Sequence, residues 1–118
     1  MSVEKNYFAI VGYDLTGYQT DKYKDWYWDK GEDYVCYQRK GKIQLFDDPR
    51  NGSYLYLGYI LACGDEYDFN MGKYDVEYLN KIRGRVRSEL GKLVNLGVID
   101  KEAKYKEKYQ VIVFEEDR

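Results

Sequence analysis

Hydrophobic positions are densest in residues 54–63, where both alternating sets of side chains are apolar. Because successive residues of a strand point to opposite faces of a sheet, neither face of this segment is suited to water. After Cys63 the chain turns abruptly acidic, at Asp65. The pattern predicts a long central strand with a neighbour on each edge.

Shorter apolar runs predict the strands around it. YFAIVGY at 7–13 and YQVIVF at 109–114 are apolar on both faces, and we expect the first beside the central strand. Gly41 suits a tight turn between EDYVCYQR at 32–39 and KIQLFD at 42–47, whose charged ends are typical of strands near a sheet edge. We therefore expect an antiparallel meander of residues 33–38, 42–47 and 54–63.

A long helix is predicted over residues 76–96, with Asp75 as its N-cap and Gly97 just past its end. Its apolar residues fall in one stripe, which we expect to face the sheet: Leu79, Ile82, Val86, Leu90 and Leu93. Residues 20–30 are expected to form a helical turn or an ordered loop. The predicted fold is α+β, a mainly antiparallel sheet of about five strands with this helix packed on one face, in one domain spanning residues 1–118.

Composition changes this picture in two ways. The chain contains fifteen tyrosines, and since a buried phenol needs a hydrogen-bond partner, several rings should lie half-exposed, as contact residues in interfaces do. It contains no histidine, which removes the commonest general base and the commonest metal ligand. Residues 1–75 carry nine Lys or Arg against thirteen Asp or Glu, so the acidic surface should lie in the first part of the chain.

Carboxylates at the two ends of the central strand are the first candidates for chemistry: Asp47, Asp48, Asp65, Glu66 and Asp68. Such groups can hold Mg²⁺ at a strand end. An extended strand of this length separates the two groups, so we expect that they do not share an ion. With no catalytic set and no phosphate-binding glycine loop, we expect a protein that is not an enzyme and needs no cofactor or metal.

The sequence favours binding instead, because acidic residues and tyrosines stand side by side. Carboxylates can occupy a basic nucleic-acid groove while rings supply apolar anchors. The predicted partner-binding residues are Asp65, Glu66, Tyr67, Asp68, Asp47 and Asp48, with Trp26 and Trp28 as anchors. The alternative interpretation is ordinary loop ends of a tyrosine-rich sheet.

A basic run at residues 81–87 offers a different function. The helix, the turn after it and the last strand are similar to the recognition helix and wing of winged-helix proteins, with Arg83, Arg85 and Arg87 as the nucleic-acid contacts. The run divides between two helix faces and the pI is 5.2, so direct nucleic-acid binding is disfavoured. Gly84, Ser88 and Gly91 share another face, where a homodimer could form. A sponge for a nucleotide signal is a further alternative.

A resemblance rests on three segments: IVGYDLTGY at 10–18, KGKIQLFDDP at 40–49 and YLYLGYILACGDEYDF at 54–69. In a short, acidic, histidine-free chain they resemble small accessory proteins of phages and prophages of Gram-positive bacteria, the group that includes anti-CRISPR inhibitors. The resemblance implies a protein that occludes a bacterial defence protein such as a Cas effector.

The remaining expectations concern cellular context. Cys36 and Cys63 lie in strand-like runs without a signal peptide before them, so we expect free, buried thiols. The longest apolar run is far shorter than the ~20 residues of a membrane span. We therefore expect a protein of the bacterial cytoplasm that does not bind membranes.

Overall fold

A computed structural model describes residues 5–30, 41–48, 52–65, 67, 69–70 and 72–117. Its elements, in chain order, are β1 (Lys5–Asp14), α1 (Tyr23–Lys30), β2 (Ile43–Asp47), β3 (Leu55–Asp65), β4 (Phe69–Asn70), α2 (Val76–Asn95), α3 (Ala103–Lys106) and β5 (Gln110–Asp117). The architecture is α+β. Among the described residues, four strands form the sheet in the order β2-β3-β1-β5, and the two-residue β4 pairs with β3. This is four full strands where about five were expected; the predicted strand at 32–39 lies outside the described residues.

β3 occupies the centre of the sheet, as predicted. It pairs antiparallel with β1 along one edge, from Tyr56 to Asp65, and with β2 along the other, from Leu55 to Tyr59. The expected neighbours, residues 7–13 and 42–47, are therefore confirmed, and the part of the meander at 33–38 lies outside the described residues. Gly41 has the positive φ of 88° expected of a turn.

Two glycines allow β1 and β3 to pass unusually close to each other. A Cβ atom on Gly12 would lie 1.9 Å from the carbonyl oxygen of Leu57, and one on Gly58 would lie 2.9 Å from Cδ1 of Ile10. Gly12 and Gly58 are paired in the register. Only residues without a side chain fit this crossing, so it fixes the middle of β3 against β1.

Helix α2 covers one face of the sheet with the predicted stripe. Ile82, Val86, Leu90 and Leu93 are buried and join a core with Val11 and Leu57 of the sheet. Burial of each such side chain contributes about 1.5–3 kcal/mol. The helix begins where Asp75 accepts the N–H of Tyr78.

The end of α2 is also as predicted, within one residue. The Val98 N–H donates to the Leu93 carbonyl and the Gly97 N–H to that of Val94, with φ of 79° at Gly97. This pair of bonds satisfies carbonyls that would otherwise lack donors, and it requires the left-handed glycine.

The opposite face of the sheet holds a second, aromatic core. Phe8, Ile10, Phe46 and Ile60 are buried there, and Phe114 packs beside them. The ring centroids of Phe8 and Phe46 lie 4.9 Å apart, and those of Phe46 and Phe114 lie 5.2 Å apart. Aromatic pairs at these separations add about 0.5–1.5 kcal/mol beyond the area they bury.

Two shorter predictions are settled by the structure. Residues 23–30 are helical, so the helical alternative for the 20–30 segment is confirmed. The last strand runs further than 109–114, because β5 continues through the acidic residues Glu115, Glu116 and Asp117. Within the described residues, no helix combines the length and the apolar character needed to cross a membrane.

Candidate functional site

The carboxylates near the beginning of β3 accept hydrogen bonds from the protein itself. The Tyr23 hydroxyl donates to Oδ2 of Asp47 at 2.9 Å. Asp48 Oδ2 accepts both the N–H of Ser53, at 3.0 Å, and its hydroxyl, at 2.6 Å. These two predicted contact residues therefore hold α1 and the β2–β3 turn in place.

Tyr23 and Asp47 form a partly buried hydrogen bond in which the neutral phenol is the donor. Desolvation raises the pKa of Asp47 above its ordinary 3.8, and the Tyr23 hydrogen bond acts against that rise. Burial, followed by the nearby Asp47 charge, raises the pKa of Tyr23 far above its ordinary value. Tyr23 is therefore a protonated donor to Asp47 at neutral pH.

The two tryptophans of α1 have different environments. Trp26 is half-buried against the helix-side core, with its ring 5.9 Å from that of Tyr23. Trp28 is 77% exposed. Of the two predicted anchors, only Trp28 has the exposure that contact with a partner requires.

A buried polar contact that the sequence did not reveal joins Tyr54, the residue just before β3, to β5. Glu116 is only 6% exposed, and its Oε1 accepts the hydroxyl of Tyr54 at 3.0 Å. Burial and the Glu116 charge raise the pKa of Tyr54 far above its ordinary value. The pairing of β5 with β1 sets Glu116 beside Asn6. The local sequence carries no signal of that pairing, because Glu116 stands in an acidic run after the apolar segment.

At the other end of β3 an aromatic ring stands in solvent. Oδ1 of Asp65 accepts the N–H of Tyr67 at 2.8 Å, which shapes the turn. Tyr67 is 94% exposed, more than any other large hydrophobic side chain among the described residues. Glu66 and Asp68, the two other acidic residues predicted here, lie outside the described residues.

The predicted contact residues therefore form two groups rather than one patch. Asp47 pairs with Leu55 at the start of β3, and Asp65 ends that strand. Ten steps of extended chain span roughly 33 Å. Within the part of the chain that the structure describes, no three acidic or cysteine side chains are grouped so as to hold a metal ion.

The arginines of α2 stay exposed, but each contacts its own fold. The Arg83 guanidinium carbon lies 5.5 Å from the centre of the Tyr109 ring, and that of Arg85 lies 5.9 Å from the centre of the Tyr59 ring. Arg87 donates to the carbonyl of Lys104 at 3.1 Å. Stacking on two rings directs Arg83 and Arg85 to separate places, as the helical wheel predicted.

The small residues of α2 lie at the surface. Gly84 and Ser88 are exposed and Gly91 is half-buried. A Cβ on Gly84 would meet no atom within 4 Å, and one on Gly91 would lie 3.8 Å from Nζ of Lys104. Neither glycine is required by a contact of the described residues.

Cys63 is half-buried, more exposed than expected. Cys36 lies outside the described residues. No protein-family model, curated protein or solved structure matches this chain. Function must therefore be inferred from the arrangement of these side chains.

Proposed function

We propose that this protein is a non-enzymatic, phage-type inhibitor that binds a bacterial defence nuclease or its nucleic-acid complex. The contact surface is the acidic turn after β3, centred on Tyr67 and flanked by Asp65. The observation that carries the proposal is the 94% exposure of the Tyr67 ring. Among the described residues this ring adds almost no buried surface to the fold, whereas an interface would gain a large anchor with few rotatable bonds.

The acidic residues around the Tyr67 ring indicate which kind of partner surface it would bind. Residues 65–68 read Asp, Glu, Tyr, Asp, so three carboxylates accompany one phenol. Such a segment is complementary to a basic surface, and complementary charge accelerates association and favours the correct partner. Nucleic-acid grooves of defence nucleases are basic because they bind phosphates.

The acidic residues near the start of β3 give weaker support to the proposal than the turn around Tyr67 does. Asp47 and Asp48 already accept hydrogen bonds from Tyr23 and Ser53, so binding a partner there would have to compete with contacts that hold the fold. Trp28 is the one predicted residue of that end that is mainly exposed. We assign it to a separate, secondary contact.

A cleavage assay tests the function. Purified Cas9-type nucleases from Gram-positive bacteria, loaded with guide RNA, are mixed with this protein before target DNA is added. We expect cleavage of the target to fall as the protein reaches stoichiometric amounts. Full cleavage by every nuclease of the panel, with no complex detected by size-exclusion chromatography, would contradict the proposal.

A titration with duplex DNA at two salt concentrations separates this function from DNA binding by Arg83, Arg85 and Arg87. Phosphate contacts make affinity fall steeply with salt. We expect no salt-dependent binding, because Arg83 and Arg85 stack on different rings of the protein. Tight binding at low salt that triple substitution of these arginines by glutamine removes would favour a DNA-binding regulator.

A further inference from the structure

Part of the sheet face on which α2 packs is left uncovered. Ala9 of β1 contacts the α2 core but is only half-buried, and Val113, opposite it on β5, is 76% exposed. Because side chains alternate between faces along a strand, Tyr7 and Glu115 lie on this same side. They are paired in the register, Tyr7 half-buried and Glu115 exposed. We call these four side chains the open face.

The strand register places the open face at the end of the sheet that carries Tyr67. Tyr7 pairs with Gly64 of β3 on one side and with Glu115 of β5 on the other. Two strand spacings amount to about 10 Å, and Tyr67 follows Gly64 by three residues. The open face is therefore next to the acidic turn.

The turn by itself is too small to hold a partner specifically. A standard interface covers about 800 Å² of each protein and about 20–30 residues, far more than residues 65–68 can supply. Interfaces also combine an aromatic anchor with further apolar side chains that exclude water around it. The open face has such side chains, and it continues from the turn.

Given the inhibitory function proposed above, on which this inference rests, we propose that the partner bound at Tyr67 also covers the open face. The partner surface there is basic around an apolar centre. Val113 contacts the apolar centre, and Glu115 pairs with a cation of the partner.

The charges at this end of the sheet favour a basic partner. Its last three register rows hold four acidic residues and one cation: Asp65, Glu115, Glu116, Asp117 and Lys5. Lys5 lies opposite Asp117, and the buried Glu116 accepts the Tyr54 hydroxyl. Glu115 is exposed on the α2 side, where a cation of the partner can reach it. Opposite charges across an interface favour the correct partner.

Isothermal titration of guide-loaded Cas9-type nuclease tests the open face with Val113→Ser and Glu115→Lys. We expect each substitution to weaken binding at least about 10-fold. Added salt should shrink the effect of Glu115→Lys but not that of Val113→Ser, because ions screen charges and not apolar contacts. Circular dichroism checks that the variants are folded.

Matched controls lie at the other end of α2. Leu96 is 52% exposed after the last turn of the helix, and Asp21 is exposed beside Thr20, whose hydroxyl donates to the Gly97 carbonyl. Leu96→Ser and Asp21→Lys should bind like the wild type. Wild-type affinity for both Val113→Ser and Glu115→Lys would overturn this inference and leave the proposed function intact. No binding of the wild type to any nuclease of the panel would overturn both.

Hydrogen exchange maps the same surface without a substitution. We expect the amides of residues 110–115 to exchange more slowly in the complex, together with those of the 65–68 turn. Amides of residues 92–97, at the far end of α2, should exchange at the rate of the free protein. Slower exchange of the turn alone would overturn the inference, because a partner lying over the open face shields β5 as well.

Discussion

At the Leu55 end of β3, the carboxylates of Asp47 and Asp48 face donors of the protein itself, whereas at the Asp65 end the ring of Tyr67 stands in solvent. Both ends combine acidic residues with tyrosines. At the first, Tyr23 is 7% exposed and donates to Asp47. At the second, Asp65 accepts the backbone N–H of Tyr67, and the phenol ring of Tyr67 lies in solvent.

This difference shows that an acidic residue beside a tyrosine can serve either the stability of the fold or a binding surface. A buried phenol without a partner costs about 1–3 kcal/mol, so a nearby carboxylate that accepts its hydrogen bond stabilises the fold. An exposed phenol makes no such demand and remains available to a partner. Exposure of the ring, rather than the neighbouring acid, separates a fold contact from a binding contact.

The largest effect on stability is expected from disturbing the close approach of Gly12 in β1 to Gly58 in β3, which holds the middle of β3. Gly12→Ala would place a Cβ 1.9 Å from the Leu57 carbonyl oxygen, so we expect the free energy of unfolding to fall by about 3 kcal/mol or more. Urea denaturation measures it. Gly84→Ala, where a Cβ would meet no atom within 4 Å, should instead stabilise the helix by about 1 kcal/mol. Equal effects of both substitutions would refute the close crossing.

A smaller change compares the two ends of β3 by removing one tyrosine hydroxyl group at each. Tyr23→Phe removes the donor to Asp47 and should lower the free energy of unfolding by about 1.5 kcal/mol, as for hydrogen bonds to charged groups. Tyr67→Phe should change it by less than about 0.5 kcal/mol, as for other exposed positions. Thermal denaturation of both variants provides the comparison. A Tyr67→Phe variant as unstable as Tyr23→Phe would show that both ends serve the fold.

The smallest expected effect is a pH dependence of stability caused by Asp47, near the start of β3. Burial raises the pKa of Asp47 above 3.8, so the native state holds this proton more tightly than the unfolded chain does. The resulting stabilisation is fully present below pH 3.8 and is lost as pH rises through the higher folded-state pKa.

We therefore expect the stability of the wild type relative to Asp47→Asn to decline as pH rises from 3.8. Denaturation across this pH range measures the difference. Asp21→Asn, in an exposed turn, controls for the loss of one surface carboxylate. A wild-type advantage that grows with pH would contradict a raised pKa.

Periodic segments could be predicted from sequence because burial imposes a repeating pattern on them. The central strand and its neighbours at 7–13 and 42–47 are confirmed, as is the helix with its cap at Asp75 and its end at Gly97. In these segments the local signal and the tertiary structure agree.

Pairing between distant polar groups could not be predicted in the same way. Glu116 follows an apolar strand and resembles a solvated tail, yet β1 extends the pairing and Tyr54 becomes its partner. The bond between Tyr23 and Asp47 depends on how α1 packs beside β2. Sequence alone therefore assigned Asp47, Asp48 and Tyr67 to one set of predicted binding residues. An acidic residue beside a tyrosine gives the same sequence pattern whether the ring is buried or exposed.

The central claim is that the exposed ring of Tyr67 binds the partner, and an affinity measurement tests it most directly. Isothermal titration of guide-loaded Cas9-type nuclease compares the wild type with Tyr67→Ala and with Tyr105→Ala, whose ring is 80% exposed on α3. We expect Tyr67→Ala to weaken binding at least about 30-fold, as for an interface hot spot, and Tyr105→Ala to bind like the wild type. Unchanged affinity for Tyr67→Ala would contradict the account.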